Sequence, residues 1–224
     1  MNDLKNLAIK NNSNKLRHDY ETVYENYFKD LRNEEIKMLE IGIFQGGSAK
    51  AFRDYFAKGK IYCIDISDNS INILKNEERI YPYKVDQGNR DQLKKLMEEI
   101  GKVDIILDDG SHCMDHMQIS FGFLFPYVKK GGIYIIEDVH TSYPYFEIPS
   151  ETCKDIATFR KKWHIEKDFY DTTYIMLKNY EIFGKFYSKY MTKEETEYIN
   201  NNVDYFNLNI RNNYGSVTCI MKHK

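Results

Sequence analysis

From Lys37 onward the chain alternates short apolar runs with longer amphipathic stretches. KMLEI, KIYCIDI, IYPYKVD, VDIILD and GIYIIE are separated by segments whose apolar residues recur at helical spacing. The runs are rich in Ile, Leu, Val and Tyr and predict strands over 37–41, 60–66, 80–86, 103–108 and 132–137. The stretches between them predict helices over 47–57, 69–77, 89–100 and 114–129. Strictly alternating strands and helices imply βαβ crossovers, hence a parallel sheet covered on both faces.

Local punctuation supports this order. Asn89 followed by Gln92 resembles a capping box at a helix start, and Gly131-Gly132 reads as a left-handed cap closing the helix before the fifth strand. The first 35 or so residues are polar and helical in pattern, an N-terminal arm over 1–35 ahead of a main domain over 36–224. Beyond that strand the rhythm breaks. His140 to Glu151 is a loop bearing Tyr and Pro, a helical stretch runs on to about Tyr190, and 140–190 reads as an inserted substrate loop and helix. Thr192 and Glu195 form another capping box, after which VDYFNLNI and SVTCIMKH flank RNNYG as two strands joined by a turn. The fold class is therefore α/β, Rossmann-like, a seven-stranded sandwich of parallel strands with a terminal antiparallel pair.

Composition narrows the function. With 224 residues, 42% hydrophobic and 29% charged, the chain can bury the core of one domain. A net charge of −2 with Lys and Arg dispersed gives no basic stripe, so nucleic acid is not the expected partner. The apolar runs are strand-sized and the first residues polar, so we expect no membrane insertion, no signal peptide and a cytoplasmic location. Cys63, Cys113, Cys153 and Cys219 show no CxxC or Cys/His ligand spacing, which argues against zinc and fits reduced thiols.

The chemistry concentrates at two strand ends. IILDDGSH places Asp108, Asp109 and His112 after one apolar run, and IYIIEDV places Glu137 and Asp138 after another. Carboxylates gathered this way repel one another unless a cation holds them, and a hard divalent ion with oxygen ligands is the usual solution. At the end of the first strand, Glu40, Gly42, Gly46 and Ser48 lie in EIGIFQGGS, a turn running into a helix, where glycines permit close approach and helix-start amides offer donors. The spacing is not GxGxxG, which demotes a nicotinamide enzyme. Asp65 ends the second strand about 20 residues past these glycines, where an acid commonly accepts from ribose hydroxyls. Asp86 and Gln87, after the third strand, stand where an adenine edge would need an acceptor and a donor, or serve as turn residues before Asn89.

The Glu-x-Gly-x-x-x-Gly turn, Asp65, and DDGSH followed by IIED resemble the class I S-adenosylmethionine-dependent methyltransferases. Among these the chain is similar to the metal-dependent macrolide sugar O-methyltransferases of the mycinamicin type. The resemblance covers about residues 37–140, with a weaker echo in Lys15, His18, Tyr20 and Tyr24. It implies S-adenosylmethionine as cofactor and Mg²⁺ or another divalent ion bound by Asp109, Glu137 and Asp138. His112 becomes the general base, and Asp108 either touches the cofactor or orients a neighbour.

The activity so implied is methyl transfer to a hydroxyl of a sugar, in a glycoconjugate or surface polysaccharide precursor. A catechol-like phenol or a phosphoryl or phosphoramidate oxygen is the alternative acceptor. The same strand ends resemble proteins named cephalosporin hydroxylases, although no two-His-one-carboxylate triad is visible in the sequence. A non-catalytic cofactor-binding subunit is the third reading. The expected partner is a small-molecule or glycan substrate, and the resemblance also implies a homo-oligomer, for which the N-terminal arm is the available contact.

Overall fold

The computed structural model describes residues 3–142, 156–166, 170–211 and 216–224. The N-terminal segment forms α1 (Asp3–Lys10), a 3₁₀ turn (Asn14–His18) and α2 (Tyr20–Phe28). The alternating region gives β1 (Lys37–Ile41), α3 (Gly47–Tyr55), β2 (Lys60–Asp65), α4 (Asp68–Leu74), β3 (Ile80–Lys84), α5 (Arg90–Ile100), β4 (Val103–Asp108), α6 (Met114–Leu124) and β5 (Val128–Ile136). After it come α7 (Ile156–Lys162), α8 (Thr173–Phe183), α9 (Lys193–Asn202), β6 (Val203–Arg211) and β7 (Ser216–His223).

The sheet order is β3-β2-β1-β4-β5-β7-β6. The first five strands pair in parallel and β7 pairs antiparallel with both β5 and β6. The expected sandwich is thus observed. Alternating side chains explain why both faces are covered. On β4, Ile106 enters a cluster with Leu93, Met97, Met117 and Phe121, while Ile105 and Leu107 enter the opposite one with Phe28, Phe52 and Phe56. The N-terminal segment belongs to that second cluster, since Leu4, Tyr20, Tyr24 and Phe28 are buried in it.

The ends of elements moved where the sequence pattern was incomplete. Helix α6 stops at Leu124, because Pro126 has no N–H to continue the ladder and instead sits in a 3₁₀ turn at Phe125–Tyr127. Gly131 and Gly132 are therefore not the helix cap that the sequence suggested. They lie inside β5. Gly131 takes φ +74, and a Cβ on Gly132 would lie 2.6 Å from the Asp104 carbonyl oxygen, so the pair serves a close passage of β5 against β4. Asn89 does cap α5, accepting from Gln92 N at 3.1 Å, but the Gln92 side chain accepts from Asp86 N rather than closing the box. At α9 the Thr192–Glu195 box is complete. The long stretch expected up to Tyr190 is divided between α7 and α8, and α8 ends at Gly184 in the left-handed conformation.

Among the described residues no helix is long and apolar enough to cross a membrane. Cys63, Cys113 and Cys219 are free and buried, and Cys153 lies outside the described residues.

Candidate active site at the carboxyl edge of the sheet

Parallel strands deliver their carboxyl ends to one edge, and the crossover order reverses between β1 and β4. A cavity of about 400 Å³ opens at that point, lined by Gly42, Phe44, Asp65, Asp86, Gln87 and Asp109 among others. A smaller one of about 190 Å³ shares Gly42, Phe44, Asp109 and Gly110 with it and adds Ser48, His112 and Asp138. The two adjoin, so the glycine turn faces the acidic strand ends across one space.

The turn itself is tightly specified. Gly42 has φ +91, and a Cβ there would meet the Asp109 carbonyl oxygen at 2.2 Å, so β1 and the loop after β4 touch backbone to backbone. Asp65 clamps the turn from the neighbouring strand: Oδ2 accepts from Ile43 N at 3.0 Å and Phe44 N at 3.4 Å, and Oδ1 from Ser67 N at 2.9 Å. Gly46 caps α3 with φ +73, held against Leu74, and does not line either cavity.

Asp108 is buried behind the cavity wall. It accepts from Gln87 Nε2 at 3.1 Å, Ser120 Oγ at 2.6 Å and Gly110 N at 3.3 Å, while Gln87 Oε1 accepts from Ser111 N at 2.7 Å. Both ends of the Gln87 amide are thereby committed to bracing the DDGSH loop, although its side chain borders the cavity. Asp86 borders the cavity too, with Oδ1 accepting from Gly88 N at 2.8 Å. Burial raises the Asp108 carboxyl above its ordinary value, against these hydrogen bonds.

At the acidic end, donor atoms of Asp109, His112 and Asp138 all lie within 4.8 Å of one another. His112 Nε2 is 3.5 Å from Asp138 Oδ2 and 3.7 Å from Asp109 Oδ1, and His112 Nδ1 has no hydrogen-bond partner among the described residues. His112 and Asp138 both take left-handed backbone, φ +56 and +52, and Phe44 across the cavity takes φ +50. Non-glycine residues rarely adopt it, and such positions gather at functional sites where the surroundings enforce them. His112 packs against Trp163, with ring centroids 5.9 Å apart. Burial lowers the His140 imidazole, against the pull of Asp138 at 3.8 Å. Asp138 itself is held below its ordinary value, its burial outweighed by His112, His140 and Tyr20.

Glu137, the third acid of the expected ligand set, turns another way. It is 1% exposed, accepts from Tyr24 Oη at 2.5 Å and lies 3.0 Å from Lys15 Nζ. Burial and Asp109 push its carboxyl well above the ordinary range despite Lys15. Glu40 is fully buried beside it, 3.8 Å from Lys15 Nζ, and burial raises it to about 7. The Lys15 ammonium also reaches Asp109 Oδ2 at 2.5 Å, and Tyr20 Oη donates to Asp138.

The sequence singled out neither the Lys15 contacts nor Trp163. Tyr20 and Tyr24 were legible in principle, because their i, i+4 spacing on α2 aims both hydroxyls at one place. The structure also assembles Asp115, His116 and His164, a two-His-one-carboxylate group that residues so far apart in sequence did not announce. Its donors already serve one another: His164 Nδ1 is 2.8 Å from Asp115 Oδ1, with the His164 side chain 45% exposed. Tyr143 and Tyr145, expected in a substrate loop with His140, lie outside the described residues.

Over 127 residues the chain is 39% identical to mycinamicin VI 2''-O-methyltransferase of Micromonospora griseorubida, covering 54% of this chain and 31% of that one. It is 39% identical over 150 residues to the 8-demethyl-8-(2-methoxy-alpha-L-rhamnosyl)-tetracenomycin-C 3'-O-methyltransferase of Streptomyces olivaceus, covering 63% and 38%. The chain thus spans well under half the length of these curated relatives. The MycE methyltransferase of the mycinamycin biosynthetic pathway, solved in complex with Mg, SAH and mycinamycin VI, superposes with a TM-score of 0.72 at 26% identity. That match covers 99% of this chain and 54% of MycE. Residues 33–202 match the family model described as a methyltransferase domain, and with that model spanning most of the chain, the protein belongs to the methyltransferase-domain family.

Proposed function

We propose that the protein transfers the methyl group of S-adenosylmethionine to a hydroxyl of a sugar, with a divalent ion, Mg²⁺ by preference, at the acidic strand ends. The observation that carries the reading is the convergence of Asp109, His112 and Asp138 on a space that the Gly42 turn and Asp65 close from the other side. One relative's name specifies 3'-O-methylation of a rhamnosyl tetracenomycin and another 2''-O-methylation of mycinamicin VI, and the solved relative was captured with Mg and SAH. For this chain we infer an acceptor sugar in a glycoconjugate or surface polysaccharide precursor.

The residues fit both groups. The carboxylates of Asp109 and Asp138 at the pocket are oxygen donors suited to a hard ion that keeps some waters, and they leave the His112 imidazole free of it. A cavity of about 400 Å³ with an acid on the β2 end and glycine opposite suits an adenosyl group. When bound, the cofactor supplies an electrophilic methyl and the ion acidifies the coordinated acceptor oxygen.

The chain's own part follows from its geometry. Asp65 receives the ribose hydroxyls while keeping the turn in place. Asp109 and Asp138 would hold the ion, and Glu137 joins them if it exchanges the Lys15 ammonium for it. His112 Nε2 takes the proton from the acceptor hydroxyl, and the carboxylates 3.5 and 3.7 Å away stabilise the imidazolium that results. Asp108 and Gln87 keep the DDGSH loop from shifting. Proximity and orientation supply the rest, with no covalent enzyme intermediate.

Calorimetric titration with S-adenosylhomocysteine, with EDTA and then with Mg²⁺, tests the cofactor. Methyl transfer to glycosides bearing vicinal hydroxyls, set against phenols and phosphoryl compounds, tests the acceptor. Binding at micromolar Kd, about −8 kcal/mol, with transfer to glycosides that EDTA abolishes is the expected result. Folded protein that binds no cofactor under either condition overturns the reading, and iron- and oxygen-dependent turnover would turn attention to Asp115, His116 and His164.

A further inference from the structure

Lys15 is a buried cation surrounded by acids. Its side chain is 2% exposed, and its Nζ faces Asp109 at 2.5 Å, Glu137 at 3.0 Å and Glu40 at 3.8 Å. The 3₁₀ turn that carries it is fixed by Ser13, whose hydroxyl accepts from Lys15 N at 3.3 Å. Asp138 completes the acidic group, and Tyr20 and Tyr24 give it hydrogen bonds without charge. His112, His140 and His18 border the group on the Asp138 side, and among the described residues Lys15 is the permanent cation against Glu137 and Glu40. Buried carboxylates with too few cations destabilise a fold strongly, whether or not they later hold an ion.

We propose that Lys15 is the internal counterion of the acid cluster, a positioning residue that keeps Asp109 and Glu137 assembled by binding the same oxygens on which a divalent ion would draw. The inference rests on the metal-binding part of the function proposed above. Two consequences follow from it. The wild-type protein folds with its site formed before any ion arrives. The ammonium also competes with the ion, which keeps the ion's affinity moderate.

Thermal melts of wild type, Lys15→Met and the double variant Lys15→Met/Glu137→Gln, each in EDTA and in millimolar Mg²⁺, test this, together with a Mn²⁺ titration followed by electron paramagnetic resonance. Methionine keeps the apolar stem and removes the charge. In EDTA Lys15→Met should melt roughly 6–20 °C below wild type, as expected for breaking a buried pair in a chain of this size. Mg²⁺ should restore at least half of that loss while moving wild type much less. By linkage the larger shift means tighter ion binding, and Mn²⁺ should bind Lys15→Met about tenfold more tightly once the neighbouring charge is gone. Removing the unpaired acid as well, in the double variant, should recover stability in EDTA.

A Lys15→Met loss that neither Mg²⁺ nor Glu137→Gln repairs would make Lys15 a packing anchor and overturn the proposal. So would a melting temperature equal to wild type in EDTA, or Mn²⁺ binding that is weaker, unchanged or absent in both proteins. If Lys15→Met does not fold, the double variant decides: folding supports the counterion role, and failure refutes it. None of these readouts requires cofactor or acceptor, so failure of the methyl-transfer reading appears separately, as absent S-adenosylhomocysteine binding.

Discussion

Replacing Asp65 by Asn separates recognition of the cofactor from maintenance of the fold. In the wild type one carboxylate oxygen accepts from Ile43 N and Phe44 N and the other from Ser67 N. An Asn side chain has one oxygen and one NH₂ group, so whichever way it turns a donor faces a backbone N–H. It also loses the charge that strengthens a ribose hydrogen bond. A hydrogen bond to a charged group is worth about 1.5–3 kcal/mol, so losing one and weakening another puts about 2–4 kcal/mol on cofactor binding. That corresponds to a Kd for S-adenosylhomocysteine raised roughly 30- to 1000-fold. Asp65 is half-buried at the mouth of the cavity, and a loss of about 1 kcal/mol in the fold lowers Tm by about 2–4 °C, so the variant should remain folded at assay temperature. Calorimetry and a melting curve on the same sample decide. An unchanged Kd accompanied by a lower Tm would show that Asp65 only clamps the turn, and would refute the ribose assignment.

Other substitutions probe the rest of the edge. His112→Asn keeps a residue that tolerates φ +56 and removes the base, so kcat should fall about 10²- to 10⁴-fold with cofactor affinity unchanged; full turnover would exclude His112 as base. Asp138→Asn is likewise compatible with its backbone, and it should weaken Mn²⁺ binding by far more than it lowers Tm. Gly42→Ala forces a Cβ onto the Asp109 carbonyl at positive φ and should cost about 2–4 kcal/mol in urea unfolding, together with cofactor binding. Glu40 is raised by burial from 4.5 to about 7, so the stability it allows is complete below its unfolded value and is lost as pH rises through about 7. Between about pH 5 and about pH 8 in EDTA, wild type should lose about 2–3 kcal/mol more than Glu40→Gln, and parallel curves would contradict the burial argument.

What could be read from the sequence divides along a physical line. Strand ends were legible because a parallel sheet needs nearly continuous apolar runs, and Asp65, Asp108 and Glu137 are the polar residues at which they stop. Helix ends were less so. Helix α3 ends at Tyr55 because Phe56 leaves helical backbone while its ring sits in the core, a tertiary preference that no local pattern carries. The twin glycines were misread because the helix had already been stopped by Pro126. Lys15 was noticed only through resemblance, since its carboxylate partner Asp109 lies 94 positions away and a lysine in a polar segment is ordinarily solvated. The acids were recognised as needing a cation, and the structure supplies one of a kind that charge counting alone could not place.

The arrangement divides labour between rigid and variable parts. Gly42 against Asp109, and Gln87 bridging Asp108 to Ser111, lock the cofactor turn, the third strand end and the DDGSH loop into one unit. The N-terminal segment then closes the acidic side from above, through Lys15, Tyr20 and Tyr24. His112 packs against Trp163, and on the proposed function the acceptor would enter on that side. On the same proposal, substrate choice is assigned to residues 140–190. Exchange of that segment between relatives should change the sugar that is methylated and leave S-adenosylhomocysteine affinity as it was. A chimera that loses cofactor binding while remaining folded would show that the two functions are not separable in this way.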